Sequence, residues 1–135
     1  MFKTKIIIEW GDCDEAGIVF YPNYFYWFDC AFQRLLRARG LSQRELRRRF
    51  QAVTPIVKAD ADFKAPARYD DELEIDVTMT LESPRRFKAG YHLRTNGKTI
   101  AVGYELRAFA RIAADGSLSG ADVDPEFFAL LTGAV

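Results

Sequence analysis

The sequence has no long apolar run, no basic surplus and only one histidine, and each shortage excludes a class of protein. Its apolar runs fall well short of the roughly 18 residues that a membrane span needs. Lys plus Arg and Asp plus Glu number 19 each, so the formal net charge is zero, whereas a nucleic-acid-binding domain usually carries a basic surplus. The first ten residues lack the apolar core and cleavage site of a signal peptide. We therefore expect neither a nucleic-acid partner nor a membrane.

Several kinds of chemistry are also missing. The two cysteines, Cys13 and Cys30, form no CxxC pair and predict no disulfide framework, which favours a reducing cytoplasm. The chain has no GxSxG elbow of a serine hydrolase. It has no His/Cys cluster with metal-ligand spacing, so we expect no metal. In its predicted strand, His92 lies on the other face from Phe87, Ala89 and Tyr91. We therefore expect it on the surface or at an interface, and not beside Cys13 as a base.

The 135 residues, 49% of them hydrophobic, suffice for one core, and we predict a single domain over 1–135. Proline is favoured at the first position of a helix and glycine just past its end, so the pattern predicts a helix from about Pro22 to Arg39, ending at Gly40. Its apolar face comprises Tyr24, Phe25, Phe28, Ala31, Phe32, Leu35 and Leu36, with Asp29 at the edge. Shorter helices are predicted over 43–50 and from Asp124-Pro125 onward.

Five segments alternate as antiparallel strands do: 2–10, 53–64, 72–82, 87–93 and 100–112. The pattern predicts Trp10 on one face with Ile6 and Ile8, and Asp76 on the outer face. We expect these side chains to point inward: Leu73, Ile75, Val77, Met79, Leu81, Phe87, Ala89, Tyr91, Leu93, Ile100, Val102, Tyr104, Leu106, Ala108, Ala110 and Ile112. An apolar patch is then left on the outer face, at Ile56, Ala101, Gly103 and Phe109, and another subunit would have to cover it.

Strands of this length must coil, because sheets twist. A coiled sheet can bury the broad apolar face of the one long helix by wrapping around it. The sequence therefore predicts an α+β protein of the hot-dog fold, in which a five-stranded antiparallel sheet surrounds a central helix. Zero net charge and the apolar outer patch predict a homo-oligomer, a dimer or a dimer of dimers (a homotetramer).

The stretch 11–29, GDCDEAGIVFYPNYFYWFD, carries the chemistry. Asp12, Asp14 and Glu15 lie on a glycine-containing loop directly before the helix. The N–H of Tyr21 is free at the positive end of the helix dipole, because the first N–H groups of a helix have no intrahelical partner. A loop carboxylate can attack a carbonyl or activate water, and a free N–H can bind the oxyanion that results.

This stretch closely resembles the signature of the 4-hydroxybenzoyl-CoA thioesterase family, and Thr54–Val57 and Tyr69–Ile75 resemble that family's next strands. The resemblance implies a hot-dog acyl-CoA thioesterase with its site at a subunit interface, acting on an aromatic or other compact acyl group. It implies that Asp14 is the catalytic carboxylate, that the Tyr21 N–H polarises the thioester carbonyl, that Gly17 allows close approach, and that Asp29 faces a phenolic hydroxyl.

Two positions depart from parts of the family. Pro22 stands where a branch associated with the cell envelope carries histidine, which favours the hydroxybenzoyl branch. Phe20 stands where close relatives carry tryptophan. We expect Phe20, Tyr24 and Trp27 to form walls of the acyl pocket.

The coenzyme A part of the substrate carries phosphates, for which Arg and Lys are natural partners. Arg85 and Arg86 follow Pro84 in a loop and are predicted to bind them. No cofactor beyond this coenzyme A is expected.

Some alternatives stay open from the sequence. Asp14 could act as nucleophile or as general base, since both roles need a carboxylate beside the carbonyl. We expect Asp12 to be structural, and Asp29 could be a structural carboxylate at a subunit contact. A hot-dog hydratase or dehydratase would call for an Asp/His pair. A non-catalytic acyl-CoA or acyl-carrier binding protein could share the same scaffold.

Overall fold

The computed structural model describes residues 1–134; Val135, the last residue of the predicted 1–135 domain, lies outside them. One antiparallel sheet packs against a long helix, with two shorter helices beside it. The strands are β1 (Phe2–Ile7), β2 (Ala52–Val53), β3 (Ile56–Phe63), β4 (Glu72–Ser83), β5 (Arg86–Thr95), β6 (Lys98–Ile112) and β7 (Leu118–Ala121). The helices are α1 (Pro22–Ala38), α2 (Gln43–Phe50) and α3 (Pro125–Thr132), with a short 3-10 helix at Trp10–Asp12.

The sheet runs β1-β4-β5-β6, and β3 pairs with the other edge of β6. Two short strands continue these two edges of β6. Strand β7 pairs with residues 109–112 of β6, and β2 pairs with residues 110–111. The five long strands are those that the sequence predicts. The break at Thr54-Pro55 separates β2 from β3, and a turn at Asp115-Gly116 precedes β7, so the structure has seven strands instead of five.

Helix α1 begins at Pro22 and ends at Ala38, within one residue of the prediction. Gly40 adopts a left-handed φ of +72°, and the N–H of Leu41 reaches back to the Leu36 carbonyl at 2.8 Å, which is the geometry of a Schellman end. The buried face comprises Tyr24, Trp27, Phe28, Ala31, Phe32, Leu35 and Leu36. Phe25, predicted in this face, is half-buried and packs against the core beside Phe28, and Trp27, which was not predicted there, is buried.

One aromatic contact fixes α1 against the middle of the sheet. The ring of Phe28 stacks on that of Tyr91 with centroids 4.5 Å apart and planes at 6°. Gly103 lies against the same ring, since a Cβ there would be 2.6 Å from Phe28 and 2.5 Å from the Asp60 carbonyl oxygen. The missing side chain at this strand position therefore allows helix and sheet to approach closely.

Ile100 is buried in the core, as predicted, but from Ala101 to Arg107 the structure reverses the predicted facing of β6. Residues directly opposite each other share a face, and Tyr91 of the buried face of β5 stands opposite Gly103. The helix-facing residues of β6 are therefore Ala101, Gly103, Glu105, Arg107 and Phe109, whereas Val102, Tyr104 and Leu106 face outward. The predicted outer patch at Ala101, Gly103 and Phe109 is thus wrong. The prediction placed the large apolar side chains inward. The buried face instead holds small residues beside Phe28 and the charged pair of Glu105 and Arg107.

Two smaller expectations, for Trp10 and Leu81, were also wrong. Trp10 is exposed, because β1 ends at Ile7 and the chain turns into the 3-10 helix. Leu81 is exposed, beside an irregular register in the β4–β5 hairpin. Asp76 is on the outer face, as predicted, yet it is buried there by Lys3 and Arg94 at 3.0 and 2.6 Å. Burial raises the pKa of Asp76, but the hydrogen bonds from those two cations outweigh it and lower the pKa below its usual value.

Replacement of Gly103 by alanine should destabilise the fold, because the added methyl overlaps the Phe28 ring and the β3 backbone. We expect Gly103→Ala to lower the free energy of unfolding by about 1–3 kcal/mol in denaturant titrations. Gly120→Ala is the matched control in another strand, where the nearest atom to a new Cβ is 3.9 Å away, and it should change stability by less than about 0.5 kcal/mol. Equal stability of the two variants would contradict the close approach.

Candidate active site

The loop before α1 holds Asp14 in a tight turn. Its Oδ1 accepts a hydrogen bond from the Ala16 N–H at 2.9 Å, and its carbonyl accepts from the Gly17 N–H at 2.9 Å. Gly17 has a φ of +79°, a left-handed conformation that glycine adopts without strain. Asp14 is exposed, so the turn fixes the carboxylate while leaving it accessible.

Asp12 has a different task. Its Oδ2 accepts the N–H of Glu9 at 2.8 Å and so caps the 3-10 helix, which supports the structural role expected for it. Its carbonyl accepts hydrogen bonds from the Phe20 N–H at 2.9 Å and from Nδ2 of Asn23 at 2.8 Å. The acidic loop is therefore fastened to the first turn of α1.

The start of α1 presents a free donor. Pro22 is the first helical residue and Tyr21 precedes it. Within residues 1–134 the Tyr21 N–H donates to no acceptor. Because the helix N-terminus is also the positive end of the dipole, this N–H can bind a developing oxyanion.

An open apolar cleft of about 440 Å³ lies at this helix start, lined by Ile18, Val19, Tyr21, Tyr24, Phe63, Lys64, Ala65, Pro66 and Ala67. Its volume is in the range of small-molecule sites. Burial, together with the neighbouring Cys13, raises the pKa of Tyr24 to about 12. The Tyr24 phenol therefore stays protonated at neutral pH and can serve as wall or donor but not as base.

The three predicted wall residues occupy different environments. Tyr24 lines the cleft. Phe20 is half exposed and stands edge-on to Tyr21, with centroids 5.7 Å apart. Trp27 is buried in the core, edge-on to Tyr24 at 5.5 Å. Trp27 can thus shape the cleft only through Tyr24 in this chain, and its role stays a prediction.

Asp29 takes part in a polar network that the sequence analysis missed. Arg107 Nη2 lies 3.0 Å from Asp29 Oδ1, and Arg107 also pairs with Glu105 at 2.9 Å. The Tyr91 hydroxyl donates to the same Glu105 oxygen at 2.5 Å. Burial raises the pKa of Glu105, although Arg107 and Tyr91 partly offset the effect. Residues two apart on a strand share a face. The opposite charges of Glu105 and Arg107 at this spacing are therefore a sequence signal that could have revealed the pair.

The cleft and Asp29 are separated along α1. Asp29 follows Tyr21 by eight residues, or about 12 Å along the helix axis, and does not line the cleft. Strand β3 runs alongside: Phe63 contacts Tyr24 at the cleft, with ring centroids 5.3 Å apart, and Ile56 stands opposite Arg107 on β6. A donor at Tyr21 and an acceptor at Asp29 are thus carried by the same helix, with β3 beside it.

The two predicted phosphate-binding arginines differ in surroundings. Arg85 is engaged by the Gly120 carbonyl at 2.9 Å and by Asp122 at 3.6 Å. Arg86 lines a second cleft, of about 360 Å³, together with Lys58, Glu82, Ser83, Lys88, Tyr104 and Leu106. Its two lysines lie over the Tyr104 ring, 5.7 and 5.3 Å from the centroid. Arg86 therefore belongs to a cationic cleft and Arg85 to its margin.

The histidine lies away from the acidic loop. His92 is on β5, where its Nε2 lies 2.8 Å from the Thr99 hydroxyl, and it faces the same side of the sheet as Asp76, opposite it on β4. Cys13 donates weakly to the Glu9 carbonyl at 3.8 Å and has no histidine partner.

In the described part of the chain no group of three or more His, Cys, Asp and Glu side chains could hold a metal ion. Nor is any described helix both long and apolar enough to span a membrane.

An antiparallel sheet packed around one long helix is the hot-dog fold. In this chain an exposed carboxylate lies in the turn just before that helix. Comparison with known proteins gives the family. The profile of the thioesterase-like superfamily matches residues 8–129, and the chain belongs to this family.

Similar proteins carry related names. A 4-hydroxybenzoyl-CoA thioesterase of Pseudomonas sp. (strain CBS-3) is 44% identical over 74 residues, which are 53% of this chain and about half (52%) of that protein. Its structure superposes with a TM-score of 0.85 at 30% identity, over 96% of this chain and 97% of that chain. A 1,4-dihydroxy-2-naphthoyl-CoA hydrolase of Synechococcus elongatus is 30% identical over 75% of both chains.

The structure of a gentisyl-coenzyme A thioesterase superposes with a TM-score of 0.81 at 31% identity, over 94% of this chain and 99% of that chain. The predicted family and the predicted hot-dog fold are therefore confirmed. These relatives are thioester hydrolases by name, which is the enzyme class that the sequence predicts.

Proposed function

We propose that the protein is an acyl-CoA thioesterase that acts on a compact aromatic acyl group carrying a hydroxyl. One observation carries the proposal: the exposed Asp14 carboxylate is held in a loop that is hydrogen-bonded to the start of α1, where the Tyr21 N–H is free above an apolar cleft. The names of the relatives support the same substrate class, since all three describe CoA thioesters of hydroxylated aromatic acids.

In the proposed reaction the thioester carbonyl accepts a hydrogen bond from the Tyr21 N–H, which stabilises the oxyanion as the carbonyl is attacked. Asp14 either attacks the carbonyl carbon, expels the CoA thiolate and forms a mixed anhydride that water opens, or takes a proton from the attacking water. The free oxygen of Asp14 suits both routes. Gly17 keeps the turn compact enough for the substrate to approach.

The acyl group is placed in a proposed groove between α1 and β3, which runs from the cleft toward Asp29. An aromatic acyl group with a hydroxyl opposite its carbonyl is about 6 Å long, given C–C bonds near 1.5 Å. With a hydrogen bond of about 3 Å at each end, its length is comparable to the rise of about 12 Å along α1 from Tyr21 to Asp29. Asp29 then accepts a hydrogen bond from the hydroxyl, and Tyr24 forms part of the apolar wall.

The phosphates of coenzyme A are assigned to Arg86, with Arg85 at the margin. Lys58 and Lys88 add positive charge to the same cleft, and charge-assisted hydrogen bonds to phosphate are strong. Coenzyme A is then part of the substrate, and the reaction as written needs no other cofactor.

The protein is proposed to form a homo-oligomer through β3. In the described chain β3 is an edge strand paired only with β6, and its side chains are mostly exposed, including Ile56, Val57 and Phe63. Unprotected edges of this kind invite pairing with another chain. A second copy would also cover the groove. Both cysteines are free thiols, which supports the cytoplasm as the compartment.

A hydratase or dehydratase is the weaker proposal, because His92 lies on the outer face of the sheet, away from Asp14. A non-catalytic acyl-CoA or acyl-carrier binding protein would use the same cleft without turnover. Release of free thiol from a panel of CoA thioesters separates these alternatives.

The first test replaces the carboxylate. Asp14→Asn should lower kcat for thioester hydrolysis by at least about 10²-fold, since it removes the nucleophile or base, and leave the unfolding transition nearly unchanged. Glu15→Gln is the matched control, an exposed acid of the same loop, and should keep activity within a few-fold. Near-normal kcat in Asp14→Asn would refute the mechanism.

The second test concerns the acyl group. A phenolic hydroxyl donating to a carboxylate contributes about 1.5–3 kcal/mol, or roughly 10- to 150-fold. We expect kcat/KM for 4-hydroxybenzoyl-CoA to exceed that for benzoyl-CoA by about this factor, and Asp29→Ala to remove most of the difference. If both proteins discriminate equally, Asp29 is structural.

The third test is the mass in solution. Light scattering should give a dimer or a dimer of dimers, at least twice the 15.4 kDa chain mass. Lysine at an exposed apolar position of β3, as in Val57→Lys, should shift the mass toward the monomer, because charges on edge strands oppose pairing. A monomeric wild type would contradict the proposed interface.

A further inference from the structure

Arg107 is held more firmly than any role in charge balance requires. Its side chain is 5% exposed. Nη1 donates to the Thr54 carbonyl at 2.8 Å and Nε to Glu105 at 3.1 Å, while the guanidinium lies 4.0 Å from the Phe32 ring centroid. The planar fork of arginine suits such a set of contacts, which a lysine could not reproduce.

Glu105 already balances the charge of Arg107. Its side chain is 2% exposed, and its Oε1 accepts from Arg107 and from the Tyr91 hydroxyl. A buried cation needs one buried anion to offset the cost of desolvation. Asp29 is therefore a second carboxylate on a cation that is already paired, and its presence calls for another explanation.

The two oxygens of Asp29 are used differently. Oδ1 accepts hydrogen bonds from Arg107 Nη2 at 3.0 Å and from Gln33 Nε2 at 3.2 Å. Oδ2 accepts none from residues 1–134, and the Asp29 side chain is 44% exposed. The carboxylate is thus anchored through one oxygen, while the other remains available to a ligand.

We propose that Arg107 is a positioning residue for substrate selection: it anchors Asp29 through Oδ1, so that Oδ2 is presented to the hydroxyl of the acyl group. The proposal rests on the proposed function and deepens it. Arg107 itself need not touch the substrate. Its effect is confined to substrates that carry the hydroxyl, because only they use Oδ2.

The experiment compares 4-hydroxybenzoyl-CoA with benzoyl-CoA in wild type, Arg107→Lys, Asp29→Ala and the double variant. The ratio of the two kcat/KM values is measured on one preparation, so partial loss of folded enzyme cancels. We expect Arg107→Lys to remove most of the wild-type preference, while hydrolysis of benzoyl-CoA changes by less than about threefold, as for a group with no part in the common chemistry. Adding Arg107→Lys to Asp29→Ala should cause no further loss of the preference for the hydroxylated substrate, since the two residues act as a unit.

Arg94→Lys is the control, because Arg94 also pairs with a buried carboxylate, Asp76, but on the outer face of the sheet. It should leave the ratio unchanged. If Arg107→Lys does not fold, Glu105→Gln combined with Arg107→Gln replaces the whole pair and leaves no unpaired charge buried; this protein should also lose the preference. A folded variant of either kind that keeps the wild-type ratio would overturn the proposal, as would a wild type with no preference.

Binding separates this proposal from the proposed function. Thioether analogues, in which a methylene group stands between carbonyl and sulfur, cannot be hydrolysed, and their dissociation constants can be measured with and without the hydroxyl. If wild type hydrolyses no CoA thioester yet prefers the hydroxylated analogue and Arg107→Lys does not, the positioning role stands and the thioesterase function fails. If hydrolysis is intact and Arg107→Lys keeps both preferences, the function stands and the positioning role fails.

Discussion

The stack of Phe28 on Tyr91, made possible by the bare backbone of Gly103, decides where α1 lies against the sheet. Protein interiors are close-packed and transmit displacements rather than absorb them. The free Tyr21 N–H and the Asp29 carboxylate both belong to this rigid helix, so one packing contact sets the positions of both groups. The acidic loop follows, because the Asp12 carbonyl ties it to the first turn of α1.

Much of this arrangement was predictable from the sequence because local signals and global packing agree. Pro22 and Gly40 delimit α1, and β5 alternates strictly between buried and half-buried residues. The turn at Asn96-Gly97 has both residues at positive φ, 50° and 77°, as a two-residue hairpin requires. The loop before α1 was also predictable, since a carboxylate beside a helix start is a pattern of neighbouring residues.

The facing of β6 was not predictable in the same way, because hydrophobicity and size gave opposite answers there. Val102, Tyr104 and Leu106 are the more apolar set, yet Phe28 leaves room only for small residues. Reading Gly103 as the place of closest approach would have set the phase correctly and brought Glu105 and Arg107 inward. The wrong phase therefore hid the network that holds Asp29. A buried ion pair of this kind is weak evidence for stability, and its interest lies in what it orients.

In the proposed reaction, the exposure of Asp29 would limit how strongly a single chain selects its substrate. A site rejects an analogue lacking a hydroxyl most sharply when its own polar group is left buried and unpaired. With 44% of the side chain exposed, water can satisfy Oδ2 when the hydroxyl is absent, so the penalty for the wrong acyl group is modest. A second copy paired along β3 would cover the groove and exclude that water. On the proposed function, selectivity for the hydroxylated acyl group should therefore depend on the oligomer as well as on Asp29, although Tyr21 and Asp29 belong to one chain.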